Sequence, residues 1–155
     1  MGRVSREDLC SRAHHLAGAR TGAPLRCPGR LPSKAGPGNF SVQVLDAYGR
    51  ACAVTGEHSL PVLEAAHIQP YSNGGAHEVS NGLSLRTDLH RLFDRGYATV
   101  DEDDRFVVGR RLKDEFENGR SYYGLHGSAM ELPKERALRP AREALAWHRE
   151  NVFVG

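Results

Sequence analysis

The sequence predicts an α+β domain. Three segments lead to this prediction, and each carries one histidine or asparagine in a recognisable local pattern. His67 ends an apolar run that is typical of a β-strand, and Asn81 lies in a loop. His90 lies in a segment with helical spacing of its apolar residues. A second hairpin pattern and a final helical segment follow toward the C-terminus, so short strands and helices mix along the chain.

The chain of 155 residues divides by composition into two parts. Residues 1–38 are rich in proline and glycine and are interpreted as a flexible basic segment, with a short helix around Ser5–Ala17 as an option. Residues 39–155 are expected to form the folded domain. Residues 1–49 carry seven Lys/Arg against three Asp/Glu, and the rest carries fourteen against sixteen. The folded part is thus slightly acidic, and any electrostatic attraction to a polyanion such as nucleic acid would come from local arginines or from the basic tail.

The cysteines and the hydropathy pattern exclude several classes of protein. Cys10, Cys27 and Cys52 are far apart, which argues against a zinc knuckle and against a disulfide framework. No apolar run approaches the ~20 residues that span a bilayer, and the first twenty residues have no signal-like apolar stretch. The expectation is a soluble cytoplasmic protein without a membrane partner.

The first elements of the domain are short. Phe40–Tyr48 is either a strand or a short amphipathic helix, because its period is ambiguous. Ala51–Thr55 and Val62–His67 are apolar runs that predict two antiparallel strands joined by a loop. Residues 69–80 are rich in breakers and predict a loop.

The second half begins with a helix that runs to Arg95, capped by Thr87 or Asp88 and ended by a left-handed Gly96. The segments 97–100 and 106–108 predict a hairpin around four consecutive acids, interpreted as a solvated turn rather than a metal site. Residues 122–132 are expected to be extended. Pro140 is expected to begin a final helix toward Asn151, with Ala144, Leu145 and either Trp147 or His148 in the core.

The predicted helix presents two pairs of residues at a spacing of four. His90 and Asp94 share one face, which offers one nitrogen and one oxygen to a single cation. Arg91 and Arg95 share a neighbouring face, where they either hold a phosphate or are simply solvated. His67 has a side chain suited to take a proton from water near neutral pH. Asn81 either pins the loop beside His67 or serves only its own turn.

Three stretches of the chain resemble the HNH endonucleases, which are found in bacterial restriction-type proteins. They are Leu63–Pro70 (LEAAHIQP), Val79–Leu85 (VSNGLSL) and Asp88–Gly96 (DLHRLFDRG), with later similarity at 122–127 and 146–153. The resemblance implies the ββα-metal fold with an additional C-terminal hairpin and helix, and an endonuclease that uses a divalent metal to cut DNA.

The resemblance also assigns roles. It implies that His67 is the general base, that Asn81 braces the loop and orients that base, and that His90 is a metal ligand with Asp94 as a second ligand. Many members carry a metal ligand directly before the base, where this chain has Ala66. Glu64 is the candidate replacement, and its alternative is a salt bridge to Arg50 or Arg86. Mg²⁺, Mn²⁺, Ni²⁺ and Zn²⁺ all suit these donors.

Two other interpretations stay open. One is an HNH-fold module that binds nucleic acid without cutting it. The other is a small structural zinc domain, which would need four ligands close together, and the sequence does not plainly supply them. The resemblance suggests restriction of foreign DNA, with target choice usually made by a separate specificity domain or subunit. Sequence preference, DNA against RNA, nicking against double-strand cleavage and oligomeric state stay undetermined.

Overall fold

A hairpin and the helix that follows it form the centre of the fold. The computed structural model describes residues 37–155, and the predicted helix and flexibility within residues 1–36 lie outside them. The helices are α1 (Pro37–Ala47), α2 (Thr87–Asp94), α3 (Arg111–Phe116), α4 (Arg120–Tyr123) and α5 (Arg142–Asn151). The strands are β1 (Leu63–His67), β2 (Gly82–Arg86), β3 (Ala98–Val100), β4 (Arg105–Val108) and β5 (Ser128–Ala129). The predicted α+β class is confirmed.

Strands β1 and β2 are antiparallel, and α2 follows β2 directly, which gives the order ββα. Glu64 lies opposite Leu85 in this pair, and His67 lies opposite Gly82. Helix α2 buries Leu89 and Phe93 completely against the sheet. The apolar positions thus fix the helix, while its polar positions stay at the surface.

The segment 40–48, which the sequence left as either strand or helix, belongs to helix α1. This helix packs on both strands of the central hairpin. Phe40 and Val44 are buried on this helix. A Cβ at Gly82 would lie 2.4 Å from Cγ2 of Val44, so only glycine permits this close approach. The segment is helical because a helix buries its apolar residues on one face against the sheet.

The predicted pairing of Ala51–Thr55 with Val62–His67 is wrong. Residues 51–55 form turns, and the partner of β1 is β2, fifteen residues further along the chain. Ala53 donates one backbone hydrogen bond to Ser84 and accepts one from Glu131. The apolar run is buried as an irregular segment, so burial rather than strand pairing explains its composition.

The predicted caps of α2 are also wrong. Arg86 is the residue before its first turn, and no side chain caps the helix by a hydrogen bond. Asp88 instead forms an ion pair with Arg86 at 2.6 Å. The helix ends as expected, because Gly96 follows it with φ of 77°.

The C-terminal part contains the predicted hairpin of β3 and β4, to which β5 adds a third strand. Its acidic turn is a structural feature: Asp101 accepts backbone N–H groups of Asp103 and Arg105, and Asp104 pairs with Arg142. The extended structure expected over residues 122–132 is only partly correct, because α4 ends at Tyr123 and only β5 is a strand.

The last helix begins at Arg142 rather than at Pro140, and it ends at Asn151 as expected. Its predicted core positions Ala144 and Leu145 are buried, and His148 is the third, at 1% exposure. Within residues 37–155, none of the helices has the length and apolar character needed to cross a bilayer.

Candidate active site

His67 stands at the end of β1 with its imidazole held from two sides. The ring of Phe40 stacks on it at 3.9 Å between centroids, with 14° between the planes. Nε2 of His67 lies 3.2 Å from Nδ1 of His77. Its Nδ1 has no hydrogen-bond partner among the residues that the structure describes. The ring is therefore fixed in orientation, with one nitrogen left for another molecule.

Burial lowers the pKa of the His67 imidazole; a positive charge on His77 or His90 would lower it further, and Asp94 acts in the opposite direction. A lowered pKa keeps the ring neutral at neutral pH. The neutral ring has the free lone pair that a general base needs.

The side-chain amide of Asn81 ties together the loop that follows β1. Its Oδ1 accepts the backbone N–H of Gln69 at 3.0 Å, and its Nδ2 donates to the carbonyls of Gln69 and Ala76 at 2.8 and 2.9 Å. The backbone carbonyl of Asn81 also accepts the N–H of Ile68. Asn81 is 6% exposed, and its three side-chain bonds are partly buried. The loop beside His67 is thus cross-linked from one side chain.

His90 on α2 lies between two carboxylates. Its Nε2 is 3.1 Å from Oδ2 of Asp94, and its Nδ1 is 2.7 Å from Oε2 of Glu64. The spacing of four brings His90 and Asp94 together, as expected. The hydrogen bond with Asp94, joined by that with Glu64, raises the pKa of His90 against the effect of its burial. The expected alternative for Glu64 is wrong, because Arg50 pairs with Asp46 and Arg86 with Asp88.

This arrangement fits a divalent cation with few protein ligands. Nitrogen and oxygen ligands lie about 2.1 Å from such an ion, so two neighbouring ligands are on the order of 3 Å apart, as Nε2 of His90 and Oδ2 of Asp94 are. Glu64 faces the other ring nitrogen, on the opposite side from Asp94. No three His, Cys, Asp or Glu side chains of the described part of the chain converge as a metal-binding group. The donors present therefore suit an open site rather than a closed structural one.

His67 and His90 open onto one cleft of about 350 Å³. The cleft is also lined by Ala65, Asp94, Tyr71 and the C-terminal residues His148 and Val152, among others. The candidate base and the candidate cation pair thus face the same space, although 23 positions separate the two histidines in the sequence.

Arg91 on α2 and Arg95 directly after it are exposed, and neither forms an ion pair within residues 37–155. Arg91 borders a shallow depression that Arg86 and the acidic Glu57 and Asp88 also line. Exposed arginines without acidic partners are available to a polyanion.

Two residues that contact the His67 ring, His77 and Phe40, were not predicted from the sequence. His77 is half-buried, and the ring of Tyr71 stacks on it at 4.7 Å. It lies in a loop without hydrophobic periodicity, so its histidine identity is the only signal that the sequence carries. Phe40 belongs to the helix whose type the sequence left open, and its contact with His67 depends on how that helix packs.

The family profile described as HNH endonuclease matches residues 52–101, which include β1, β2 and α2. Among solved structures, the modification dependent TagI restriction endonuclease matches with a TM-score of 0.56 and 22% sequence identity. The match covers 73% of this chain and 37% of that chain, so the chain corresponds to little more than a third of TagI. No curated protein sequence matches the chain.

Proposed function

Since the chain carries an HNH endonuclease family domain over residues 52–101, we propose that it is a metal-dependent endonuclease that hydrolyses DNA phosphodiester bonds. The observation that supports this most directly is the shared cleft, into which an imidazole of lowered pKa and a histidine–aspartate pair both open. An activated water and a bound cation are the two components that phosphodiester hydrolysis requires.

In this proposal His67 is the general base. Its ring takes the proton from the attacking water, and the stacking of Phe40 together with the bond to His77 holds it in place during the transfer. Asn81 keeps the neighbouring loop in position through its three side-chain hydrogen bonds. A rigid loop preserves the distance between base and phosphate.

His90 and Asp94 are the proposed ligands of the cation. When bound there, a divalent ion neutralises charge on the scissile phosphate and on the leaving oxygen. Glu64, the predicted third ligand, is better suited to orient His90, because a carboxylate on Nδ1 leaves Nε2 with its lone pair directed at the cation. Mg²⁺, Mn²⁺, Ni²⁺ and Zn²⁺ stay candidates.

Arg91 and Arg95 are the proposed contacts to the DNA backbone. Such contacts position a duplex without reading its sequence. We therefore propose that target choice comes from a further domain or subunit, and that the biological setting is restriction of foreign DNA. TagI, with which the chain shares its fold, is a restriction endonuclease.

The second candidate is a domain of the same fold that binds nucleic acid without cutting it. The buried Ala66, at the place where many members have a metal ligand, favours this alternative, as does the small number of protein ligands. The intact histidines of the cleft favour cleavage.

Supercoiled plasmid distinguishes the two. Wild-type protein, His67→Ala and the control His58→Ala are incubated with plasmid, without metal and then with each of the four cations. His58 is the matched control because it is an exposed histidine that does not line the cleft. Metal-dependent nicking that is lost only in His67→Ala supports the nuclease. Equal cleavage by wild type and His67→Ala contradicts the proposed base, and binding without cleavage by all three proteins favours the second candidate.

A further inference from the structure

The contact between His67 and His77 has a chemical consequence. Their facing nitrogens are 3.2 Å apart, and a hydrogen bond between two neutral imidazoles needs one N–H donor and one bare nitrogen. If Nε2 of His67 carries the hydrogen, its Nδ1 is bare and able to accept a proton. If Nδ1 of His77 carries it, Nε2 of His67 is the acceptor and Nδ1 of His67 is already protonated.

We propose that His77 is a positioning residue that holds His67 in its Nε2–H tautomer, so that Nδ1 of His67 is the basic atom. The proposal rests on the assignment of His67 as the general base. His77 accepts the hydrogen bond through its own bare Nδ1, with its hydrogen on Nε2. The same bond then stabilises the imidazolium that forms when His67 takes the proton from water, which becomes the hydroxide that attacks phosphorus.

The surroundings of the two rings limit other arrangements. Phe40 covers a face of His67, and Tyr71 stacks on His77 with 17° between the planes. Each stack restricts rotation of its ring, so the two nitrogens stay opposed. His77 is also held by its loop, because the carbonyl of the preceding Ala76 accepts from the Asn81 amide. The hydrogen bonds of the Asn81 side chain thus help to hold His77 in place.

The proposed hydrogen bond requires a His77 without charge. Burial is the largest influence on the pKa of His67 and lowers it; a positive charge on His77 or His90 would lower it further, and Asp94 acts to raise it. A neutral His77 can accept a hydrogen bond, whereas a protonated one would lose the acceptor and repel the imidazolium. The Nε2–H tautomer of His67 is therefore coupled to a neutral partner.

Two variants distinguish the effect of the hydrogen-bond acceptor of His77 from the effect of its aromatic ring. His77→Phe keeps an aromatic ring on Tyr71 and removes the acceptor. His77→Asn removes the ring and places an amide oxygen near the position of Nδ1. We expect kcat for plasmid cleavage to fall on the order of 10- to 100-fold in His77→Phe, with KM nearly unchanged, as for loss of one hydrogen bond to a charged group. We expect His77→Asn to recover most of kcat.

Nitrogen-15 NMR of the metal-free full chain at neutral pH tests the tautomer without relying on cleavage. The His67 signals are assigned by their absence in His67→Ala. We expect the Nε2–H tautomer in wild type and His77→Asn, and a mixture in His77→Phe. A His67 ring with its hydrogen on Nδ1 in wild type overturns the inference. So does a His77→Phe variant that keeps both the wild-type tautomer and the wild-type kcat.

The two experiments also separate this inference from the proposed function. If wild type cuts no plasmid under any metal but His67 has the expected tautomer, the nuclease assignment fails and the hydrogen-bond assignment stands. If wild type cuts and the tautomer is the opposite one, the nuclease assignment stands and the role of His77 fails.

Discussion

His148 is a buried histidine whose protonation should destabilise the fold in a measurable way. It is 1% exposed, and its ring stacks on Phe93 at 3.7 Å. Its Nε2 lies 3.1 Å from the carbonyl of Phe93, which can only accept, so Nε2 carries the hydrogen. Its Nδ1 then accepts from the hydroxyl of Thr99 at 3.0 Å. Both nitrogens of the neutral ring are therefore hydrogen-bonded, and burial disfavours the charged form.

Burial lowers the pKa of His148 from 6.5 to about 4. Because the folded-state pKa is depressed, the unfolded chain binds the proton more readily, and stability falls as the pH drops from about 6.5 toward 4. At pH 5 the unfolded state gains a factor of about 30 relative to the folded state, or about 2 kcal/mol. At pH 7.5 the effect is close to zero.

Urea denaturation of wild type and His148→Gln, each at pH 7.5 and pH 5 with a chelator present, measures this term. Glutamine keeps a hydrogen-bond donor near the position of Nε2 but does not titrate. The loss of stability that the substitution itself causes is therefore the same at both pH values. The stability advantage of wild type over the variant should shrink by about 2 kcal/mol at pH 5. Other histidines, such as His67 and His90, titrate in both proteins and cancel. An advantage that stays constant between the two pH values would refute the reasoning.

Three further predictions concern the central hairpin and the cation pair. Gly82→Ala places a Cβ 2.4 Å from Val44 Cγ2 and should lower the free energy of unfolding by about 1–3 kcal/mol in urea denaturation; an unchanged midpoint would contradict the close packing. Asn81→Ala leaves part-buried backbone groups of Gln69 without partners, and should cost about 1–2 kcal/mol and speed amide hydrogen exchange of Gln69; slow exchange would argue against the brace. Asp94→Asn should reduce the thermal stabilisation by Mn²⁺ or Ni²⁺, which reaches about 2.7 kcal/mol at 100 times Kd; equal shifts in variant and wild type would place the cation elsewhere.

The sequence identified the elements whose pattern is local. Helix α2 was predicted to within one residue at its C-terminus, because Leu89 and Phe93 repeat at helical spacing and Gly96 provides the left-handed stop. The hairpin of β3 and β4 was predicted from two apolar runs around an acidic turn. Each of these signals is contained in about ten consecutive residues.

Strand pairing is where the sequence prediction failed. The run at residues 51–55 has the same apolar composition as a strand, but its burial is satisfied in turns. The true partner of β1 begins at Gly82, a residue with low strand propensity, and the turn-forming Asn81 directly precedes it. Apolar composition indicates that a segment is buried. Which segment it forms hydrogen bonds with depends on the path of the chain between them.

The amino-acid sequence alone determined the types and order of the candidate site residues, His67, Asn81, His90 and Asp94, and the α+β class around them. Only the tertiary structure decided which atoms face each other: Glu64 on Nδ1 of His90, and His77 on Nε2 of His67. The physical reason is that a spacing of four on a helix fixes neighbours locally. Contacts between a strand, a loop and a helix depend instead on packing of the core, which no short segment encodes by itself.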